Sequence, residues 1–305
     1  MSSLLHADLG QVAGLVSFLV VPVNPAGEEW VPCDVLIENP ELLRKLMDST
    51  GVGRGTTDSA VAASLFAQSY AYRLASATLA PLVMNGRVVS ATPQCTSLRI
   101  GRHRPAGFAL RTPVAMAGLA NDAQLTSFDG PQIRCENQLE LMAWLSDQLF
   151  ANHLDAFVAS IRETVKIGER LLWGNVSAAF VSVLRTVEGA LVDRDQKLRV
   201  RTFADDFVAS SPHEFAELGS SFVLHMGDLD GWFHERTTCC LWFKSGEAQK
   251  NTTTVSYCAD CSLTPTDERR ANLLAELAAS AEATSSTEHA ASTYLAATGI
   301  SELSQ

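Results

Sequence analysis

The most informative stretch of this 305-residue chain for its fold and function is Arg236-Thr-Thr-Cys239-Cys240-Leu-Trp-Phe243, followed by Tyr257-Cys258-Ala-Asp-Cys261. Four of the seven cysteines lie within the 23 positions from Cys239 to Cys261, and the other three are scattered. Four thiolates are the ligand set of a tetrahedral zinc ion or of a two-iron cluster, and Cys-x-x-Cys is the spacing at which one tight turn presents two sulfurs to a metal. The pattern predicts a metal centre on Cys239, Cys240, Cys258 and Cys261.

The adjacent pair Cys239-Cys240 helps to choose between candidate metals. Neighbouring side chains in extended backbone point to opposite faces, so this pair binds a single ion only where the chain bends sharply. A two-iron cluster offers separated coordination positions and relaxes that demand. The spacing therefore favours a [2Fe–2S] cluster. A structural zinc ion stays open as an alternative, as does a mixed site that includes His225 or His234.

Composition limits the classes of partner. The chain has 47% apolar residues, enough for a sizeable core, and a formal net charge of −11, which disfavours nucleic acid and anionic membranes. The apolar run from Val12 to Val23 is too short to span a bilayer. No Lys or Arg precedes Arg44, so the sequence shows neither a secretory n-region nor a twin-arginine signal. We expect a cytoplasmic protein with reduced thiols.

Periodicity predicts a helix-rich α+β fold with a small central antiparallel β-sheet and a C-terminal four-cysteine cluster-binding segment. Helices are expected from Pro40 to Met47 and, capped by Asp58 or Ser59, from Ala60 to Leu82. Two long helices follow, with apolar stripes over 142–161 and 172–191. Short strands between 87 and 133 indicate an antiparallel meander. Residues 202–234 are predicted to be a loop and short-helix connector, and a helix is expected from Thr266 to about Ala279.

Some residues outside the cysteine cluster are candidates for the site. Gly174 interrupts a predicted helix, and glycine there usually marks a close approach by another group. Trp173 and Asn175 therefore either line a helix–helix contact or lie beside the cysteine segment. Arg236, three residues before Cys239, either donates hydrogen bonds near the centre or binds an anion, unless it forms a surface ion pair with Asp228 or Asp230.

Other polar or reactive residues have plainer interpretations. Gly51-Val-Gly-Arg-Gly55 lacks the remaining residues of a dinucleotide or P-loop motif and is predicted to be an ordinary loop. Cys33, Cys95 and Cys135 are expected to be free, buried thiols. His153 lies on an apolar helix stripe and is expected to be a hydrogen-bonded core residue.

The sequence resembles the FhuF-type ferric siderophore reductases, whose C-terminal hallmark is an Arg-x-x-Cys-Cys stretch followed by Cys-x-x-Cys. Three upstream segments extend the resemblance over most of residues 9–263: Ala60-Val-Ala-Ala-Ser-Leu65-Phe66-Ala-Gln68 with Tyr72-Arg73-Leu74, Leu149-Phe150-Ala-Asn-His153-Leu154, and Arg170-Leu-Leu-Trp173-Gly174-Asn175-Val176. The seventeen residues between the two cysteine pairs make a longer span than is usual in the family. A longer loop costs little entropy, so the site tolerates it.

The resemblance implies a division of the chain and an activity. Residues 1–235 would form the FhuF-like α+β domain, 236–263 the [2Fe–2S]-binding segment, and 264–305 an appended helix or flexible tail. The activity would be one-electron reduction of a ferric siderophore, with release of Fe²⁺. The sequence contains no nicotinamide or flavin motif, so an external donor such as a ferredoxin or a flavin reductase is expected.

The substrate class and the alternatives to a reductase also follow from the sequence. The net charge of −11 predicts a preference for ferric hydroxamates over highly anionic catecholates. Arg236, Lys244 and Lys250 are the basic residues that would oppose this preference by forming a local pocket. A non-catalytic protein with a structural four-cysteine zinc site and an iron–sulfur redox sensor are the alternatives.

Overall fold

The computed structural model describes residues 3–213, 215–227, 229–249, 257–258 and 260–279. Within them the chain is helix-rich, as predicted. The α-helices are α1 (Ser3–Leu15), α2 (Cys33–Glu38), α3 (Pro40–Gly53), α4 (Ser59–Asn85), α5 (Gln138–Ser146), α6 (Asp155–Thr164), α7 (Glu169–Ala190), α8 (Arg194–Ser210), α9 (Phe215–Leu218), α10 (Gly246–Gln249) and α11 (266–279).

Helix α4 forms the centre of the molecule. Asp58 caps it by accepting hydrogen bonds from the backbone N–H groups of Ala60 and Val61, and Gly86 ends it in the left-handed conformation with φ of 69°. Most of its residues are buried on every face, as expected of a helix that is surrounded by other elements. Helix α7 packs along it, and α3 and the nearest strands cover other sides. The predicted helix and its Asp58 cap are confirmed.

The strands form three small sheets in place of one meander. The strands are β1 (Trp30–Pro32), β2 (Arg87–Val89), β3 (Thr96–Gly101), β4 (Arg104–Leu110), β5 (Met116–Leu119), β6 (Gln132–Cys135), β7 (Gly219–Met226) and β8 (Leu229–Arg236). β1, β3 and β4 pair antiparallel, whereas β5 joins β2 antiparallel and β6 parallel. The meander prediction was therefore wrong in its connectivity, because the β5–β6 connection returns the chain in the same direction.

The stretch predicted as a connector, 202–234, is more regular than expected. It continues α8, forms α9 and then forms the antiparallel hairpin β7–β8, which turns at Gly227 with φ of 60°. The hairpin carries polar side chains on a partly exposed face, and the stretch also contains acidic residues. The alternation of apolar and polar residues that predicts a strand is therefore weak here. This hairpin matters for the site, since β8 ends at Arg236.

A π-helical segment, Asp147–Leu154, joins α5 to α6 in one continuous helical run and contains His153. His153 is fully buried, and its Nε2 lies 2.6 Å from the Tyr70 hydroxyl while its Nδ1 contacts the carbonyl of Ala91. The prediction of a hydrogen-bonded core histidine is confirmed. Burial lowers its pKa to about 4.

The pKa of His153 predicts a loss of stability in mild acid. The folded protein favours the neutral ring, so its contribution to the free energy of unfolding is complete above the unfolded pKa of about 6.5 and falls, by up to about 3 kcal/mol, as the pH drops towards 4. Urea unfolding of His153→Gln should show a shallower pH dependence than the wild type over this interval. His225→Gln is the control and should keep most of the wild-type slope, because an exposed contact such as that of His225 with Asp230 contributes little stability. Equal slopes for His153→Gln and wild type would contradict the assignment.

Candidate metal centre and the adjoining cleft

The end of β8 positions the first cysteine pair. Thr237 is held by its backbone N–H to the Leu218 carbonyl at 3.0 Å and by its hydroxyl to the Glu217 carbonyl at 2.9 Å. The chain then leaves the hairpin and bends immediately after the cysteines, where Leu241 adopts a left-handed conformation with φ of 63°. The Leu241 N–H donates to the Cys239 sulfur at 3.3 Å. The sharp bend that the adjacent pair requires is thus present at the next residue.

Gly174 lets helix α7 touch this segment. A Cβ atom at Gly174 would lie 1.8 Å from Thr238 Oγ1 and 2.8 Å from Thr238 Cβ. No side chain larger than hydrogen fits between α7 and the residue before Cys239. The close approach that the sequence predicted at Gly174 is therefore an approach by the cysteine segment.

A buried chain of hydrogen bonds ties Arg236 to the first cysteine pair. Arg236 donates to Asn175 Oδ1 at 2.5 Å. The Asn175 amide nitrogen donates to the carbonyl and hydroxyl oxygens of Ser64 at 3.1 and 2.8 Å. The Ser64 hydroxyl donates to the Cys240 carbonyl at 2.7 Å. Three elements, β8, α7 and α4, thus fix the backbone at Cys240.

Arg236 is buried, with 2% of its surface exposed, and its Nε also donates to the Thr238 carbonyl at 3.0 Å. The surface ion pair that the sequence left open does not occur with Asp230, which instead lies 2.6 Å from His225. Asp228 lies outside the described residues. The guanidinium is therefore a fixed positive charge inside the site.

The second cysteine pair forms a turn that helix α11 holds in place. The Cys261 N–H donates to the Cys258 carbonyl at 3.0 Å, which closes the turn expected of Cys-x-x-Cys. Arg269 of α11 is buried and donates to the Cys261 carbonyl at 3.3 Å, and it also pairs with Glu235 of β8. The helix predicted from Thr266 to Ala279 is present, and it connects the second pair to the strand that carries the first.

One sulfur from each cysteine pair comes close to the other. Cys240 Sγ lies 4.0 Å from Cys258 Sγ, and this contact lowers the pKa of Cys240, with a further contribution from Arg236, and raises that of Cys258. Burial raises the pKa of Cys239. Among the residues that the structure describes, no three His, Cys, Asp or Glu side chains converge as a single metal ion requires. The structure thus shows one close thiol pair, while the four-ligand set stays a prediction.

The donor chemistry and the surroundings fit a soft metal centre. Cys240 and Cys261 are buried, while Cys239 and Cys258 are half-buried. Nearby, Thr238 Oγ1 and His234 Nε2 are buried without a hydrogen-bond partner among the described residues. His234 lies 3.4 Å from the Ser221 hydroxyl through Nδ1, and His225 is mostly exposed, so neither histidine joins the thiols.

The segment between the cysteine pairs is anchored to the loop after α3. The Gly246 N–H donates to the Gly55 carbonyl at 3.2 Å, and the Glu247 N–H donates to the Arg54 carbonyl at 3.2 Å. A Cβ at Gly246 would lie 2.6 Å from the Gly55 oxygen, so both glycines are needed for the contact. The glycine-rich stretch predicted as a loop is the end of α3 and the loop that follows. It contacts the segment between the two cysteine pairs.

A cleft of about 420 Å³ opens beside the thiol pair. Cys240, Cys258 and Asp260 form part of its wall, together with Leu65, Gln68, Ser69 and Pro105. Aromatic and basic side chains form the remainder: Tyr72, Trp242, Arg54, Arg73, Arg104 and Arg236. Sequence analysis missed Arg54, Arg73 and Arg104 as members of the site. Arg73 stood in a segment that carried the family resemblance, but no local signal connected it with Arg54 or Arg104.

Trp173 and the three scattered cysteines do not line the cleft. Trp173 stacks on His213 with ring centroids 3.7 Å apart and belongs to an aromatic cluster with Phe150 and Phe215. Cys33 and Cys135 are buried free thiols, and burial raises the pKa of Cys33 to about 12. Cys95 is only half-buried.

The fold and the site define a helix-rich α+β protein with a cysteine pair on the wall of a basic cleft. Residues 64–213 match the family model described as "Ferric iron reductase FhuF-like transporter", and the chain belongs to this FhuF-like family. The resemblance inferred from the sequence is confirmed. The matched range contains Ser64, Arg73, Arg104 and Asn175 but ends before the cysteine segment.

Comparisons with curated proteins and solved structures give less information about function than the family match. No curated protein matches the chain. Among solved structures, ATP-bound aerobactin synthetase IucA from a hypervirulent pathotype of Klebsiella pneumoniae is similar, with 16% identity, a TM-score of 0.39 and coverage of 55% of this chain and 31% of that chain. Aerobactin synthetase IucC from the same source has 12% identity, a TM-score of 0.38 and coverage of 66% and 34%. The chain therefore spans about a third of their length.

The contact between Gly174 and Thr238 predicts the effect of adding one methyl group. Gly174→Ala should lower the free energy of unfolding in urea by about 1–3 kcal/mol, because the methyl overlaps Thr238. Gly189→Ala on the same helix is the matched control, since a Cβ there meets nothing within 4 Å. The control should be neutral or more stable by up to about 1 kcal/mol.

A second variant tests whether Thr238 is the cause. In the Gly174→Ala background, Thr238→Gly should recover part of the lost stability, and the two substitutions should be non-additive in a double-mutant cycle. Additive effects would show that Gly174 is required for a reason other than this contact.

Proposed function

We propose that this protein is a cytoplasmic ferric siderophore reductase that carries a [2Fe–2S] cluster on Cys239, Cys240, Cys258 and Cys261. The observation that carries the proposal is the close pair Cys240–Cys258 on the wall of a cleft in a chain of the FhuF-like family. No helix within the described part of the chain is both long and apolar enough to cross a membrane.

Iron release follows from the chemistry of the substrate. Fe³⁺ is a hard ion that hydroxamate or catecholate oxygens bind tightly, and one added electron gives a softer ion of lower charge with much weaker affinity for them. A [2Fe–2S] cluster, when bound, supplies one electron at a time. Cys240 and Cys258 line the cleft directly, so a chelate bound there lies against the side chains that would hold the cluster.

The residues around the thiols would position and tune such a centre. The buried guanidinium of Arg236 adds a positive charge near sulfurs that must be thiolates to bind metal. Asn175 and Ser64 fix the backbone at Cys240, and the Leu241 N–H donates to Cys239. Hydrogen bonds to cluster sulfurs and the local net charge are the main protein contributions to a cluster potential.

Substitution of the cysteines tests the ligand set. Each single Cys→Ser change at positions 239, 240, 258 and 261 should lower the iron and acid-labile sulfide content and change the visible and EPR spectra of the anaerobic protein before and after dithionite. Cys135→Ser, at a buried thiol outside the site, is the control and should leave both unchanged.

Two outcomes of that experiment would overturn the assignment. A wild-type spectrum with full iron content in Cys239→Ser would exclude the four-thiolate cluster. A colourless, EPR-silent wild-type protein that contains one zinc ion per chain would support the structural-zinc alternative.

Electron supply is the next prediction. The purified protein should not oxidise NADPH unaided, because the sequence carries no motif that binds nicotinamide or flavin. Reduction by a ferredoxin or a flavin reductase should then allow a ferric siderophore to reoxidise the protein, one electron per iron. Stopped-flow absorbance measures both steps, and rapid NADPH oxidation by the protein alone would contradict this division of labour.

A further inference from the structure

The cleft beside the cysteines has a charge opposite to that of the whole chain. The formal net charge is −11, yet four arginines and a single carboxylate, Asp260, line the cleft. The basic residues suggested by the sequence are not the ones that line it, apart from Arg236. Lys244 lies over the Phe243 ring at 6.0 Å, and Lys250 lies outside the described residues.

Among the described residues, a carboxylate pairs with only one of the four arginines, and Arg73, Arg104 and Arg236 form no ion pair. Arg54 pairs with Glu247, and Arg236 is hydrogen-bonded to Asn175. Among the described residues, Arg73 donates only to the carbonyl of Phe18, at 3.2 Å, and Arg104 is exposed at the start of β4. Within the described ranges, no carboxylate forms an ion pair with Arg73 or Arg104.

Arg73 and Arg104 also lie close enough to affect each other. Burial lowers the pKa of Arg73, and the neighbouring positive charges of Arg104 and Arg99 lower it further. Two like charges held near each other without a counter-ion raise the free energy of the empty cleft, and an anion removes this cost when it binds. Tyr72 and Trp242 add flat aromatic surface next to these charges, which suits a ligand with planar rings.

Given the reductase function proposed above, we propose that this cleft binds a ferric chelate with net negative charge, in which catecholate or carboxylate oxygens hold the iron. Arg73 and Arg104 donate charge-assisted hydrogen bonds to the outer oxygens of the chelate. The expectation of a hydroxamate substrate rested on the net charge of the whole chain and on the easier reduction of ferric hydroxamates, and neither takes account of the local charge of the cleft. Screening limits surface charges to about 8 Å at physiological salt, so charges on the cleft wall outweigh distant ones.

Binding of redox-inert gallium chelates tests this without dependence on the cluster. Ga³⁺ has the charge of Fe³⁺ but accepts no electron under these conditions, so binding is measured apart from reduction. Calorimetric titration of the purified protein would compare a Ga³⁺ tris-catecholate, Ga³⁺ citrate and a Ga³⁺ trihydroxamate. Either anionic chelate should bind at least about tenfold more tightly than the trihydroxamate, and raising the salt concentration should weaken only the anionic ones.

Substitutions locate the effect in the cleft. Arg104→Gln and Arg73→Gln should each weaken binding of the anionic chelate by about threefold to tenfold. Arg104→Lys should retain most of the affinity, because it keeps the charge. Arg199→Gln, at an exposed arginine of α8 outside the cleft, is the matched control for net charge and should change affinity less than about twofold. Urea unfolding confirms that each variant is folded.

The outcomes separate this inference from the proposed function. Tighter binding of the trihydroxamate, or equal effects of Arg104→Gln and Arg199→Gln, would overturn the anionic preference even if ferric hydroxamates are reduced. Arginine-dependent binding of an anionic gallium chelate would support it even if no ferric chelate is reduced. The difference between the catecholate and citrate arms tells which oxygen donors the cleft prefers.

Discussion

The hydrogen-bonded chain from Arg236 through Asn175 and Ser64 to the Cys240 carbonyl is the interaction on which the site depends. Its members are buried, so each donor or acceptor that lost its partner would bear the full cost of desolvation, about 1–3 kcal/mol and more for the guanidinium. The network therefore acts as one unit. It joins the central helix, the helix that packs along it and the last hairpin at a single point.

The close packing of α7 against the cysteine segment and the hydrogen bonds of the network depend on each other. Gly174 brings α7 into contact with Thr238, which places Asn175, the next residue, within reach of Arg236. A larger residue at Gly174 would hold the two elements apart and lengthen the hydrogen bond between Arg236 and Asn175. The same geometry leaves Cys240 facing the cleft, where α4 contributes the half-buried side chains of Tyr72 and Arg73.

The sequence was informative where the signal was local. Spacing and residue type predicted the Asp58 helix cap and the helices around Leu65 and Phe180. They also predicted the bend beside Cys240 and the hydrogen-bonded core position of His153. The β7–β8 hairpin was missed because most side chains of β7 are only half-buried and polar residues flank its short apolar run. Arg54, Arg73 and Arg104 were missed for another reason: they come from three separate elements, and only the tertiary fold brings them to one cleft.

The position of the cysteine segment along the chain has a consequence for how the centre is made. Helices α4 and α7, which supply Ser64 and Asn175, leave the ribosome well before Cys239. Chains emerge from the N-terminus during synthesis, so Ser64 and Asn175 are already available when the cysteines emerge. The last contacts form when Arg269 of α11 closes on the Cys261 turn. Under the proposed function, a metal would therefore be loaded late, after the residues that hold the cysteine segment in place have been synthesised.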